Sequence, residues 1–300
     1  MPAESGASMR VGIVSPIVTL FPGAHADWEA DAGIAELAGI AADADALGYE
    51  FLTCSEHVAV PTEVAATRGG TYWDPLSTFG FLAARTSRIR FATQVLVLGY
   101  HHPLEIAKRY GTLDLISGGR LVLGVGVGSL RAEFDLLGAE FDGRGARADE
   151  AMVALRAALS QPEPSHHGEF YEFDDIVVRP HALAPRVPLW VGGRSARSLR
   201  RAIELGDGWV PFALGRTELT AMLADRELPA GFDVVLTASD LDPIADADRT
   251  RHRLGTLSQA GATAVAAGLR ATSAGHYREQ LAALAELVDL TAPIRPGVAS

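Results

Sequence analysis

Ser117-Gly118-Gly119-Arg120-Leu121-Val122-Leu123-Gly124-Val125-Gly126-Val127-Gly128 is an apolar, β-branched run that follows a Gly-Gly stop and ends in alternating glycines. Glycine at alternate positions strips one face of a strand of side chains, so something flat or charged can lie against bare backbone. The run has the first two glycines of a dinucleotide fingerprint, but Ser129 stands where the third belongs. The acidic residue expected about 20 positions further on, at the end of a second strand, is also missing, which disfavours a Rossmann phosphate loop. Two readings remain: glycines that relieve crowding inside a sheet, or a backbone platform for a ring system. The surrounding chain favours the platform.

Outward from this stretch, short β-branched runs alternate with helical patterns. Strands are expected at Val11–Ser15, Glu50–Ser55, Ile89–Leu98, Leu121–Val127, Pro188–Gly192, Gly208–Phe212, Phe232–Thr237 and Thr263–Gly268. Between them, Ile34, Leu37, Ala41, Ala44 and Leu47 recur at helical spacing before the stop at Gly48. Asp74-Pro75 reads as a cap with a first-turn proline, His102-Pro103 opens another helix, and Ser195 caps a third that ends at Gly206. Further helices are expected over about 147–160, 246–260 and 274–287. Eight strand–helix repeats predict an α/β fold, a (β/α)8 TIM barrel in a single domain over residues 9–300. Residues 138–186 are too long for one connection; they are expected to form an insertion between strands 4 and 5, with a hairpin around Gly168–Phe173, that covers the barrel mouth. Met1–Ser8 reads as a disordered tail.

Composition narrows the function classes. The chain has 300 residues, 48% hydrophobic and 21% charged, with a net charge of −11. That balance argues against nucleic acid and against an anionic membrane surface as partners, though not against a small anionic ligand. Cys54 is the sole cysteine, so neither an intrachain disulfide nor a cysteine-based metal site is available. No apolar run approaches the roughly 20 residues of a membrane span. The small, polar first residues lack the apolar core of a signal peptide, and a cytoplasmic location is expected.

Three stretches carry candidate chemistry. In Pro188-Leu-Trp-Val-Gly192-Gly193-Arg194-Ser195, a strand, two glycines and a serine cap lead into a helix, which offers free backbone N–H groups and a positive dipole end to a phosphate. Arg194 and Arg197 add charge, while Arg200 and Arg201 read at least as well as a solvated helix face. Ser55-Glu56-His57 stands at the carboxyl end of the second strand, where barrel enzymes place catalytic groups. Glu56 is free to orient His57 or to pair elsewhere. Thr93 and Gln94 interrupt an apolar strand, so they satisfy buried backbone or touch a ligand. His101-His102 lacks the spacing of a metal site, and His166-His167 falls in the insertion; no metal is expected. The chain has no Gly-x-Ser-x-Gly elbow and no Walker lysine.

Taken in order, these residues resemble the luciferase-like superfamily of flavin and deazaflavin oxidoreductases, and its F420-dependent branch in particular. The resemblance runs from about Arg10 to Pro211. It rests on Leu47-Gly48-Tyr49 leading to Ser55-Glu56-His57, Asp74-Pro75-Leu76, Ala83-Ala84-Arg85-Thr86, Arg88-Ile89-Arg90 and His102-Pro103. It continues through Thr112 to Arg120, Gly124 to Gly128, Gly143-Arg144-Gly145-Ala146-Arg147-Ala148-Asp149-Glu150, Trp190-Val191-Gly192-Gly193 and Gly206-Asp207-Gly208-Trp209.

The resemblance implies a cofactor ring at the carboxyl face of the barrel, with coenzyme F420 favoured and FMN as the alternative. It places a non-prolyl cis peptide at Gln94–Val95 against the ring, the family's strand-two histidine at His57, and its phosphate loop at Gly192, Gly193, Arg194 and Ser195. Thr93, Gln94, Val95, Gly126, Val127 and Gly128 then bed the ring. Arg194, Arg197 and Arg201 suit the acidic tail that F420 carries beyond its phosphate. The implied activity is hydride transfer between F420 and a small organic substrate. The alternatives are an FMN-dependent monooxygenase using O2, and a flavin-binding protein without turnover. A homodimer, and a separate flavin or F420 reductase as partner, are also implied. Two positions depart from the F420-dependent sugar-phosphate dehydrogenases: Pro61 replaces a tryptophan, and Ser129 replaces an acidic residue. Sugar-phosphate oxidation is therefore disfavoured.

Overall fold

Each predicted strand forms, and the eight close on themselves. In the computed structural model, which describes residues 9–224 and 226–290, the barrel strands are β1 (Arg10–Ile13), β2 (Phe51–Cys54), β3 (Arg90–Thr93, resumed at Leu96–Val97) and β4 (Leu121–Gly126). They continue with β5 (Leu189–Gly192), β6 (Gly208–Val210), β7 (Asp233–Leu241) and β8 (Ala264–Leu269). All neighbours pair in parallel in chain order, and β8 returns to β1 with Arg10 opposite Ala264 and Ile13 opposite Ala267. The termini Met1–Ser8 and 291–300 lie outside the described residues.

The expected continuous strand over Ile89–Leu98 is broken. Thr93 ends its first part, the Gln94–Val95 peptide is cis, and Leu96–Val97 resumes pairing with Val125 and Gly126 of β4. The Gln94–Val95 segment is therefore a bulge at the carboxyl end of β3.

The helices are α1 (Asp27–Asp31), α2 (Ile34–Leu47), α3 (Thr62–Arg68), α4 (Pro75–Ala83), α5 (Pro103–Ser117) and α6 (Arg131–Leu137). They continue with α7 (Arg144–Leu159), α8 (Ala196–Leu205), α9 (Arg216–Ala224), α10 (Ala247–Gln259) and α11 (Ala274–Leu287). The caps read from sequence form: the Asp74 carboxylate accepts from Ser77 N at 2.7 Å, and the Ser195 hydroxyl accepts from Ser198 N at 3.2 Å. The short helices α1, α3, α6 and α9 carry too few turns for period to announce them.

Two apolar layers hold the barrel. Phe51, Ala92, Val122, Trp190, Val210, Val235, Ala264 and Ala266 fill its interior, with Phe51 and Trp190 edge to face at 5.2 Å. Small residues on β8 leave room for the two large rings. The second, larger layer lies between strands and helices. Within 138–186, α7 packs against α5 and α8, so it belongs to the outer helical ring. The hairpin pairs His166–His167 with Glu172–Phe173, and its turn is latched by Glu150, whose carboxylate accepts from the backbone N–H groups of Glu169, Phe170 and Tyr171. The residues of this stretch that line the carboxyl-face cavity are Gly143, Arg144, Gly145 and Ala146, at the start of α7.

Candidate functional site

The carboxyl ends of the strands open into a cavity of about 1100 Å³. Val14, Ser55, Gln94, Val95, Gly126, Gly192, Phe212 and Thr237 line it, so seven consecutive strands deliver residues to one volume. His57, Gln94, Val95, Gly126, Val127, Gly128, Gly192, Gly193, Arg194, Ser195 and Arg197 all face this cavity. Thr93 does not: it is buried, and its hydroxyl donates to the Gly124 carbonyl at 2.7 Å. Its polarity serves the backbone where the strand leaves its regular path, not a ligand.

The glycines of β4 do something more particular than leave a bare face. A Cβ on Gly126 would lie 2.6 Å from Val95 Cγ2, and one on Gly192 would lie 2.8 Å from Val95 Cγ1. A Cβ on Gly124 would collide with the Thr93 carbonyl oxygen. Close approach by the neighbouring chain, not a ring, therefore requires these glycines. Val95 sits in the slot between β4 and β5, and the bulge is held up as the cavity floor. The geometry bears out the crowding reading of these glycines: they make room for Val95 and the Thr93 carbonyl.

Ser55-Glu56-His57 splits into two tasks. Glu56 turns to the bulged strand, where it accepts from Val97 N at 2.7 Å and meets His101 Nε2 at 2.7 Å. His101 is thereby engaged, and His102 caps α5 by accepting from Leu104 N. His57 Nδ1 lies 2.6 Å from Glu133 Oε2, and its ring meets Tyr72 edge to face at 4.5 Å. Glu133, on α6, has no solvent exposure. Its second oxygen accepts from Val58 N at 2.6 Å and Ala59 N at 3.2 Å, and Tyr100 donates to Oε2 at 2.8 Å. Burial alone would raise the Glu133 carboxyl; the hydrogen bonds from His57, Tyr100 and Ala59 outweigh it and hold the group below its ordinary range. Burial, reinforced by Glu133, pushes the Tyr100 phenol up, so it stays a donor.

Two helix N-termini, those of α7 and α8, also border the cavity. Ser195 caps α8, and its own N–H donates to Ser198 Oγ at 3.1 Å, which leaves the first-turn N–H groups of Ala196 and Arg197 without partners inside the helix. At the start of α7, Gly145 and Ala146 are in the same position. Arg144 fastens this helix to the glycine strand by donating from Nε to the Gly128 carbonyl at 3.0 Å. Arg194 and Arg197 are exposed at the cavity rim. Arg201 is not on a solvated face: it is buried, its guanidinium is paired with Asp149, and it donates to the Gly145 carbonyl at 3.0 Å, so it ties α8 to α7 where both border the cavity. Arg200 stays exposed, 4.0 Å from Glu204.

Several cavity residues escape the sequence reading. Tyr72 and Tyr100 come from loops without a motif. The glycines flanking Arg144 were a usable signal for the second helix terminus, since Gly-Arg-Gly before a helix exposes backbone N–H groups.

Fold and site together define a (β/α)8 barrel with a large cavity at its carboxyl face, bordered by the starts of α7 and α8 and by exposed Arg194 and Arg197. The chain belongs to the luciferase-like monooxygenase family, whose model matches residues 9–227. An uncharacterized protein of Mycobacterium tuberculosis is 30% identical over 260 residues, covering 80% of this chain and 90% of that one. A monooxygenase from Streptomyces bottropensis superposes with a TM-score of 0.71 at 21% identity, over 93% of this chain and 98% of its own. The coenzyme F420-dependent tetrahydromethanopterin reductase of Methanopyrus kandleri gives 0.71 at 16% identity, over 94% and 99%. At these identities the two structures speak for the shared fold.

Proposed function

We propose that this protein is an oxidoreductase that binds coenzyme F420 and transfers hydride between it and a small organic substrate. The observation that carries this reading is the rim beyond the phosphate-type cradle. Arg194 and Arg197 are exposed there, next to two helix N-termini with unfilled N–H groups. A cofactor whose phosphate continues into an acidic tail matches that run of positive groups; FMN ends at its phosphate, which Arg197 can serve, and leaves Arg194 without a task. The ring's place is the floor formed by Gln94, Val95, Val127 and Gly128, and the phosphate's place is Gly192–Ser195 with Arg197.

When bound, the deazaflavin supplies two-electron hydride chemistry. The protein supplies position, a proton and exclusion of water. His57 faces the cavity with one nitrogen committed to Glu133, which leaves the other for proton exchange with the substrate. Phe21 and Phe212, both exposed and both lining the cavity, border its mouth with apolar surface. Pro61 and Ser129 argue against sugar phosphates, and the apolar rim favours a neutral substrate.

Titration of the cofactor-free protein with F420 and separately with FMN, followed by cofactor fluorescence, tests the reading. Saturable F420 binding, weakened by Arg197→Ala, is expected. Tight FMN binding with no F420 binding would overturn it in favour of the flavin monooxygenase alternative.

A further inference from the structure

We infer that Glu133 is a positioning residue for His57: it fixes the neutral imidazole as the Nδ1–H tautomer and so presents Nε2 to the cavity as the proton-exchanging atom. The argument begins with hydrogen-bond inventory. An ionised carboxylate only accepts. Glu133 Oε1 already receives two backbone N–H groups, from Val58 and Ala59, and Oε2 receives the Tyr100 hydroxyl. The 2.6 Å approach of His57 Nδ1 to Oε2 then requires the proton to sit on Nδ1. Among the described residues, no protein group bonds His57 Nε2, and His57 lines the cavity.

The sequence around the site gives this arrangement its interest. Ser129, which departs from the acidic residue of the F420-dependent sugar-phosphate dehydrogenases, is tied to Arg68, whose guanidinium donates to its hydroxyl at 3.2 Å. The carboxylate comes from four residues further on, one helical turn into the chain and from a different element. It reaches His57 from behind and does not line the cavity, so it acts through the imidazole and not on the substrate. Its two backbone acceptor bonds also pin residues 58 and 59, which locks the ring's own backbone. The other charged or titratable groups around the pair are Tyr72, Tyr100, Arg68 and Glu56.

Glu133→Gln makes the test sharp. The two backbone N–H groups hold the amide oxygen in place of Oε1, which puts the NH2 opposite His57 Nδ1. An amide donor there demands an accepting Nδ1 and hence the Nε2–H tautomer. The experiment is nitrogen-15 NMR of uniformly labelled protein at alkaline pH, with His57 assigned by comparison with His57→Gln. The wild type is expected to show a pyrrole-like Nδ1 and a pyridine-like Nε2, and Glu133→Gln the reverse. A pyridine-like Nδ1 in the wild type would overturn the proposal, as would a Glu133→Gln spectrum that keeps Nδ1–H. Should Glu133→Gln fail to fold, the wild-type spectrum alone decides. The role of this proton in turnover rests on the oxidoreductase reading above, under which Glu133→Gln lowers the rate of cofactor oxidation or reduction by about 100-fold or more with cofactor affinity retained. The tautomer is read without any cofactor, so failure of the cofactor reading and failure of this inference are separate results.

Discussion

A carboxylate with no solvent exposure is sustainable only when its lone pairs are used, because an unpaired buried charge costs several kcal/mol. Glu133 meets that condition with four donors drawn from two segments of chain, residues 57–59 and Tyr100. The consequence is a pH dependence whose sign is fixed. Its carboxyl is held below the ordinary value of 4.5 in the folded protein. The stabilisation is therefore complete above that value and is lost as pH falls through the depressed folded value. Thermal midpoints measured from pH 6 to pH 3 should show the wild type losing more stability than Glu133→Gln over the acid part of the range; parallel curves would contradict the assignment. Nothing in the sequence marks Glu133. It sits in a short helix with Asp135 as an acidic neighbour, and which acid turns inward is decided by where Val58 and Ala59 lie, some 75 positions away in the chain. The same holds for Arg201, whose burial depends on Asp149 from another helix. His57 was legible because strand-end position in a barrel is itself a signal.

At the scale of elements, β3, β4 and β5 form one unit. The bulge at Gln94–Val95 drops the Val95 side chain toward β4 and β5, and both strands answer with glycine. Glu56 and Thr93 secure the bulge from either end through Val97 N and the Gly124 carbonyl. The alternating glycines were visible in the sequence, yet their partner was not, because periodicity describes one strand and the slot is shared by three. Gly126→Ala places a methyl against Val95 Cγ2, in a packed setting where such overpacking costs about 1–3 kcal/mol. The protein should fold, bind cofactor more weakly by at least about tenfold, and recover much of that affinity in the Gly126→Ala/Val95→Ala double variant. Additive losses in the double variant would show that Gly126 meets the ligand directly.

At the scale of the molecule, the −11 net charge and the positive rim of the cavity coexist because the rim is built locally, from two helix N-termini and exposed arginines. The barrel was readable in outline, because eight short apolar runs alternate with helical patterns along the chain; the break within the third strand was not legible in its own residue pattern. How 138–186 divides was not readable either, since α7 has the length of an ordinary barrel helix and only its packing against α5 and α8 places it in the ring. The central claim is that the bulge floor and the α8 terminus are two halves of one cofactor site. A crystal structure of the protein with F420 tests it most directly. The ring is expected against Gln94 and Val95, with the phosphate at the N–H groups of Ala196 and Arg197 and the tail running past Arg194. A ring bound away from the bulge, or a phosphate held elsewhere than the start of α8, would contradict the account.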